Sequence, residues 1–265
     1  MRKNSFIIQC FFLLVAVLLS SPALSFSAHR KLPVLVYHHL EDPVKSDVSC
    51  SPRQFQNQMQ ALLNAEFTPI SLRDARLFLV GGLRQVANPL LITFDDGYES
   101  LYFHALPVAR QLKIPMVIFM ITARVACKPQ FIRYLSEIEM KEMVKSGFIE
   151  FGSHSNDLHT DILRIYGAFS GHPNPLLRQI TCDLQTSYNR LISIVGRPPV
   201  AIAWPYGKFN AALQGEARKI GYLLHFTSKF GYNEPGSDPL HLKRIPISSR
   251  DTPISVVKKA RGVVR

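Results

Sequence analysis

The sequence has 265 residues, of which 47% are hydrophobic and 19% are charged, with 14 Gly and 18 Pro. This much apolar material can form a buried core, which excludes a disordered chain, and the low Gly content without a short repeat excludes a collagen-like protein. The formal charge of +12 favours anionic surroundings such as envelope polymers, lipid head groups or nucleic acid. Since no nucleic-acid-binding motif accompanies the charge, we expect no nucleic-acid partner.

The N-terminal segment is predicted to direct export and to lie outside the fold. Arg2 and Lys3 precede an apolar run over residues 6–19, and small residues follow it. A run of this length is short for a membrane span and is typical of a secretory signal peptide, with an uncleaved anchor as the alternative. We therefore predict a signal peptide over residues 1–28 and one domain over residues 29–265. The domain is expected to be periplasmic or extracellular, with no membrane span after cleavage.

Strands and helices are predicted to alternate along the remaining chain. Short apolar, β-branched runs predict strands, and apolar residues three or four positions apart predict helices. In chain order the predicted elements are a strand at 32–37, helices from 51 and at 72–80, a strand at 90–94, a helix at 98–112, a strand at 115–121, a helix at 137–145, a strand at 148–152, a helix at 176–195, a strand at 200–204, a helix at 211–220, strands at 222–226 and 242–247, and a helix at 254–261. Residues 161–175 are predicted to form a long loop. This alternation predicts parallel strands covered by helices, as an open α/β sheet or a β/α barrel.

Polar residues follow several predicted strands, at the ends where α/β folds place their sites. Asp95 and Asp96 follow the strand at 90–94, and His154 and His159 follow the strand at 148–152. Adjacent carboxylates after a buried strand are unfavourable unless each has a partner or a task. One carboxylate and two imidazoles would supply three metal ligands and leave positions open for water, as in catalytic zinc sites. The other carboxylate would then be free to act as a base.

Each motif also has a purely structural interpretation. The segment TFDDG could be a capped helix start, the two histidines could be ordinary loop residues, and the segment WPYG could be a turn. Their occurrence together, each at a predicted strand end, favours the functional interpretation.

Three motifs together resemble those of the polysaccharide deacetylases, the NodB-homology carbohydrate esterase class. The motifs are Thr93–Gly97, Ser153–His159 and Trp204–Gly207. The spacing of the two histidines and the early segment LVYH most resemble the branch that contains the poly-β-1,6-N-acetylglucosamine deacetylases. The resemblance runs from about residue 32 to residue 247 and implies a distorted (β/α) barrel of parallel strands.

The resemblance also implies a role for each matching residue. Asp95 corresponds to the general base. Asp96, His154 and His159 correspond to the ligands of a divalent metal, which is usually Zn²⁺ in this family. Tyr206 corresponds to the residue whose backbone N–H helps to bind the oxyanion.

The acid and the partner of the base each have more than one candidate. In the branch with an early Tyr-His motif the acid is that histidine, here His38, whereas a late Leu-His motif makes His241 a rival and His39 a weaker one. Arg244 is the preferred partner of the base, with Arg197 as the alternative. Aromatic side chains near the motifs could stack on sugar rings. The candidates are Trp204, for which core packing is the alternative, and Tyr98.

The leading hypothesis is an exported, metal-dependent hydrolase that removes N-acetyl groups from N-acetylglucosamine polysaccharide, preferably the poly-β-1,6 type. The expected partner is the N-acetylated glycan polymer, captured by the catalytic face or with the help of an envelope or polysaccharide-export protein. The alternatives are a deacetylase of peptidoglycan or chitin oligomers, an acetyl esterase, and a non-catalytic carbohydrate-binding protein. The intact set of two carboxylates and two histidines argues against the last of these.

Overall fold

The computed structural model describes residues 30–129, 132–159 and 175–263. Contacts divide the chain into residues 1–30 and 31–265, and the description below concerns the second unit. The predicted signal peptide and nearly all of the predicted loop at 161–175 lie outside the described residues. Within the described ranges, no helix is both long and apolar enough to cross a membrane.

The described strands form a closed parallel barrel. Their order is β1-β8-β7-β6-β5-β4-β3, and β1 also pairs with β3, from Val34 opposite Leu91 to Tyr37 opposite Phe94, so that seven strands form a ring. The short β2 is not part of the ring; it pairs in parallel with the beginning of β3. The strands are β1 (Val34–Tyr37), β2 (Thr68–Pro69), β3 (Pro89–Phe94), β4 (Met116–Met120), β5 (Ile149–Ser153), β6 (Ala201–Ala203), β7 (Leu224–Phe230) and β8 (Leu242–Pro246). The predicted parallel (β/α) barrel is confirmed.

Helices follow most of these strands, and their starts have a local cause. Five of the described helices begin after a Ser, Thr or Asn whose side-chain oxygen accepts a backbone N–H from the first turn. The helices are α1 (Pro52–Asn64), α2 (Leu72–Leu79), α3 (Leu106–Leu112), α4 (Glu137–Lys145), α5 (Pro175–Val195), α6 (Ala211–Ile220) and α7 (Pro253–Arg261).

The two faces of the sheet belong to different apolar clusters. Alternate strand residues such as Val34, Leu91 and Val117 fill the barrel interior together with the buried face of α2. The residues between them pack outward against the surrounding helices. The Leu72 N–H at the start of α2 donates to Glu150 Oε2, near the beginning of β5. Helix α2 therefore covers the end of the barrel where strands begin, and the opposite end is left for a site.

Three local features differ from the sequence prediction. The predicted helix at 98–112 starts with a π-helical turn at Leu101–Ala105 and becomes α-helical only as α3. Strand β7 continues to Phe230, four residues beyond its predicted end. The sequence did not predict this extension, because the last three residues are exposed and carry no apolar pattern. Strand β2 was not predicted, since two residues are too few for a pattern.

Candidate active site

The polar motif residues converge at the end of the barrel where the strands end. They line a pocket of about 380 Å³ together with Val36 of β1, Ser228 of β7 and Pro246 of β8. The motif residues in this lining are His38, Asp95, Asp96, His154, His159, Trp204, Tyr206, Gly207 and Arg244.

Asp96, His154 and His159 form a compact group. The Asp96 Oδ1 atom lies 3.3 Å from His159 Nε2 and 3.7 Å from His154 Nε2, and one ligand atom of each residue lies within 4.8 Å of the other two. The backbone of Asp96 is left-handed, with φ 72°. Gly97 must follow it, because a Cβ there would lie 2.3 Å from Met120 Sδ. This sharp turn aims the Asp96 carboxylate at the two imidazoles.

The hydrogen bond of His154 to the backbone fixes which of its nitrogens faces Asp96. His154 Nδ1 lies 2.7 Å from the Ala203 carbonyl and can only donate there, so in the neutral ring Nε2 directs its lone pair towards Asp96. Burial favours the neutral ring and lowers the pKa of His154, although Asp95 and Asp96 oppose this. Asp96 Oδ1 is buried and has no hydrogen-bond partner among the described residues. A divalent cation between these three atoms would resolve this arrangement, and the donor set suits zinc.

Two tyrosine hydroxyls also contact the group. Tyr98 Oη donates to Asp96 Oδ2 at 2.9 Å, and Tyr206 Oη lies 3.1 Å from His159 Nδ1. Burial, followed by the Asp96 charge, raises the pKa of Tyr98, so its hydroxyl remains a donor. The Tyr98 ring packs against His39 and Tyr134, with centroid distances of 4.7 and 5.3 Å. Tyr98 is therefore placed to orient Asp96. The sequence predicted that Tyr98 could stack on a sugar ring and did not predict this hydrogen bond.

Asp95 is held by Arg244 and not by Arg197. The two guanidinium nitrogens of Arg244 lie 2.7 and 2.8 Å from the two Asp95 oxygens, and Arg244 Nε donates to the Thr227 carbonyl. Burial alone would raise the pKa of Asp95, but Arg244, followed by His154, outweighs it and lowers the pKa below its usual value. Arg197 instead lines a groove beside Leu72, near α2. Asp95 is thus a buried, ionised carboxylate.

His38 is the candidate acid that lines the pocket. Its Nδ1 atom is buried and has no hydrogen-bond partner in the described part of the chain. His39 instead faces Glu41, at 3.3 Å. His241 is exposed and bonds to Asp238 at 2.7 Å. Neither His39 nor His241 lines the pocket.

Trp204 and Tyr206 have opposite exposures. Trp204 is fully buried and packs against Phe209 and His225, so its indole offers no face to a sugar and fits the core alternative. Tyr206 is 56% exposed, with a left-handed φ of 54°. Its turn is fixed by the bond from Gly207 N–H to the Trp204 carbonyl.

The sequence did not predict the side chain that binds the backbone of the loop between His154 and His159. Asp183 on α5 accepts the backbone N–H groups of Asn156 and Asp157, each at 2.8 Å. Burial raises the pKa of Asp183, while these two bonds oppose the shift. An Asp within a polar stretch of helix carries no signal for such a contact, because the bond depends on how α5 packs against β5.

The fold and the pocket together define a parallel (β/α)-barrel enzyme in which an Asp-His-His set lies beside a second, ionised carboxylate. Residues 84–225 match the family model for polysaccharide deacetylases, and the chain belongs to this family. It is therefore a deacetylase, a hydrolase, which sets aside the non-catalytic alternative.

Similar proteins cover most of this chain. The poly-β-1,6-N-acetyl-D-glucosamine N-deacetylase of Staphylococcus aureus is 27% identical over 238 residues, which are 86% of this chain and 79% of that protein. The structure of IcaB from Ammonifex degensii is 29% identical with a TM-score of 0.76, covering 88% of this chain and 97% of that one. The polysaccharide deacetylase BC0361 from Bacillus cereus is 28% identical with a TM-score of 0.70, covering 87% and 69%.

Proposed function

We propose that this polysaccharide deacetylase is exported and metal-dependent, and that it removes N-acetyl groups from poly-β-1,6-N-acetylglucosamine. The observation that carries the proposal is the convergence of Asp96, His154 and His159 beside the Asp95–Arg244 pair. The choice of polymer is supported by the similarity to the Staphylococcus aureus enzyme, whose name states that substrate.

Asp96, His154 and His159 would hold the metal, most suitably Zn²⁺. Two imidazole nitrogens and one carboxylate oxygen form a three-ligand set that leaves positions open, as in catalytic zinc sites. A bound zinc ion supplies Lewis acidity, which lowers the pKa of water and polarises a carbonyl group.

The remaining residues handle protons and developing charge. Asp95, kept ionised and oriented by Arg244, accepts the proton of the water that attacks the acetyl carbon. The Tyr206 backbone N–H donates to the developing oxyanion, an interaction of a kind that contributes about 3–4 kcal/mol. His38 donates a proton to the nitrogen as the carbon–nitrogen bond breaks. The products are acetate and a glucosamine unit of the polymer.

The N-terminal sequence pattern supports export. Residues 1–28 have the features of a signal peptide, and without them the formal charge is +10. This charge suits retention in an anionic envelope, where a polysaccharide-export protein could deliver the polymer.

The test is acetate release from oligomers of β-1,6-linked and β-1,4-linked N-acetylglucosamine and from peptidoglycan, each with and without a chelator. We expect release from the β-1,6 oligomers, its loss with chelator and its recovery with Zn²⁺. The Asp96→Ala variant should be inactive, whereas Asp47→Ala, which removes a carboxylate that is 76% exposed, should match the wild type. Release confined to β-1,4 oligomers or peptidoglycan would reject the proposed polymer, and unchanged release from Asp96→Ala would reject the metal set.

A further inference from the structure

Helix α5 holds the loop that carries both candidate metal-binding histidines. The two carboxylate oxygens of Asp183 accept separate N–H groups of this loop, Oδ1 from Asn156 and Oδ2 from Asp157, both at 2.8 Å. A carboxylate is the side chain that can accept two adjacent N–H groups without presenting a donor of its own. Both bonds fall between His154 and His159, the segment whose shape decides how the two rings are spaced.

A second anchor lies one helical turn further along α5. Ser187 Oγ lies 2.8 Å from Ser153 Oγ, and Ser153 Oγ in turn accepts the Ser155 N–H at 3.0 Å. Because Asp183 and Ser187 are four residues apart, they lie on the same face of the helix. Ser187 is fully buried, so this contact is shielded from water.

The loop is also held by an element that precedes it in the chain, the 3₁₀ turn at Thr122–Arg124 after β4. Thr122 Oγ1 donates to Asn156 Oδ1 at 2.9 Å, and the Thr122 N–H donates to the Ser155 carbonyl at 3.2 Å. Between these anchors the backbone of Ser155 is left-handed, with φ 68°. Such a conformation is unfavourable for a residue with a Cβ and persists where surrounding bonds impose it.

We propose that Asp183, supported by Ser187, is a positioning residue that fixes the spacing of His154 and His159 for metal binding. This inference rests on the proposed metal-dependent function. Asp183 acts through the loop backbone and does not reach the reacting atoms. Helix α5 is itself fixed by apolar side chains, including Ile180, Leu184 and Leu191, so loss of the carboxylate should loosen the loop without unfolding the helix.

The test is the Zn²⁺ affinity of an Asp183→Asn variant, measured by competition with a chromogenic chelator. The amide keeps the shape of the side chain but presents an NH₂ group to one of the two N–H donors, so one bond is lost. We expect the affinity to fall about 10- to 100-fold, the range found when groups that orient metal ligands are removed. The thermal midpoint of the metal-free chain should change little, and activity should recover at saturating Zn²⁺.

Two further variants make the result decisive. Asp157→Asn also removes one carboxylate charge, in this case from the loop itself, but the Asp157 side chain is exposed, so the Zn²⁺ affinity of this variant should match the wild type. Ser187→Ala breaks the second anchor while keeping a small buried side chain, and it should weaken Zn²⁺ binding even where Asp183→Asn fails to fold. Wild-type affinity in folded Asp183→Asn or in Ser187→Ala would overturn the inference. A wild-type chain that binds no Zn²⁺ would instead overturn the proposed function.

Discussion

Asp95 and Asp96 are adjacent in the chain, but one left-handed backbone angle gives their carboxylates different partners. Asp95 is in contact with Arg244, whereas Asp96, whose φ is 72°, faces two imidazoles and the Tyr98 hydroxyl. Each carboxylate has a pKa below its usual value, in spite of burial, but for different reasons: a guanidinium lowers one and imidazoles lower the other. The different roles proposed for the two carboxylates, base for Asp95 and metal ligand for Asp96, depend on that turn.

The Arg244→Met variant should shift the pH dependence of deacetylation. Without the guanidinium, burial is left to raise the pKa of Asp95, so this proposed base becomes protonated at a higher pH. The acid limb of the kcat/KM profile should therefore move to higher pH, and activity at pH 7 should fall by roughly 10²-fold. The matched control is Arg197→Met, which removes an arginine beside Leu72 and should leave the profile unchanged. An unshifted profile in Arg244→Met would show that Arg244 does not control the ionisation of Asp95.

The Tyr206→Phe variant should weaken metal binding while leaving catalysis intact at saturating Zn²⁺. It removes the hydroxyl that lies 3.1 Å from His159 Nδ1 but keeps the backbone N–H proposed for the oxyanion. We expect an affinity loss of about 10-fold, as for other groups that orient a metal-bound histidine. Tyr102→Phe, whose hydroxyl bonds to Glu142 away from the site, is the control. A fall in kcat at saturating Zn²⁺ would mean that the hydroxyl acts in the reaction itself.

Helices α1 and α7 are joined through the turn that precedes α7. Gln54 and Gln58 of α1 donate to backbone carbonyls of this turn, including that of Asp251. The Asp251 carboxylate accepts the Ser248 N–H at 2.7 Å and pairs with Lys259 at 2.6 Å. Burial opposes the ionised form, but Lys259, followed by Ser248, lowers the pKa of Asp251 below its usual value.

This network predicts a pH-dependent contribution to stability. Because the folded-state pKa of Asp251 is depressed, its contribution is present above the unfolded pKa of about 3.9 and is lost as pH falls through the folded value. Asp251→Asn should reduce the free energy of unfolding at pH 7 by about 1–3 kcal/mol, and this difference should shrink as pH falls below about 4. Urea unfolding over this pH range is the measurement. Asp47→Asn, whose ion pair is exposed, should have little effect, and a pH-independent difference for Asp251→Asn would exclude an ionic role.

The local sequence predicts most elements but not their irregular ends. Ser51 followed by Pro52 predicts the start of α1, because both residue preferences act within one turn. For the π-helical turn before α3 and the exposed end of β7, no residue preference in the local sequence predicts the observed backbone. These conformations depend on contacts with neighbouring strands and loops, which the local sequence pattern does not contain.

At the scale of the whole molecule, the sequence predicted those parts of the site that directly follow the carboxyl ends of strands. Parallel strands of a barrel bring their carboxyl ends to one rim, so Asp96 and His154 could be placed together from sequence position alone. The partner of Asp95 could only be narrowed to two arginines, since Arg244 is 149 positions away in the chain. The anchor at Asp183 gave no signal at all, because it depends on the packing of α5.

Metal binding should stabilise the whole barrel, because the candidate ligands come from two separate loops, after β3 and after β5. Zn²⁺ at 100 times its Kd should add about 2.7 kcal/mol, a rise in Tm of about 5–10 °C for a domain of this size. His159→Ala should abolish this rise, since only two ligands remain. His241→Ala, which removes an exposed histidine outside the pocket, should keep it. Differential scanning calorimetry with and without Zn²⁺ measures both, and an equal rise in His159→Ala and in the wild type would place the zinc site elsewhere.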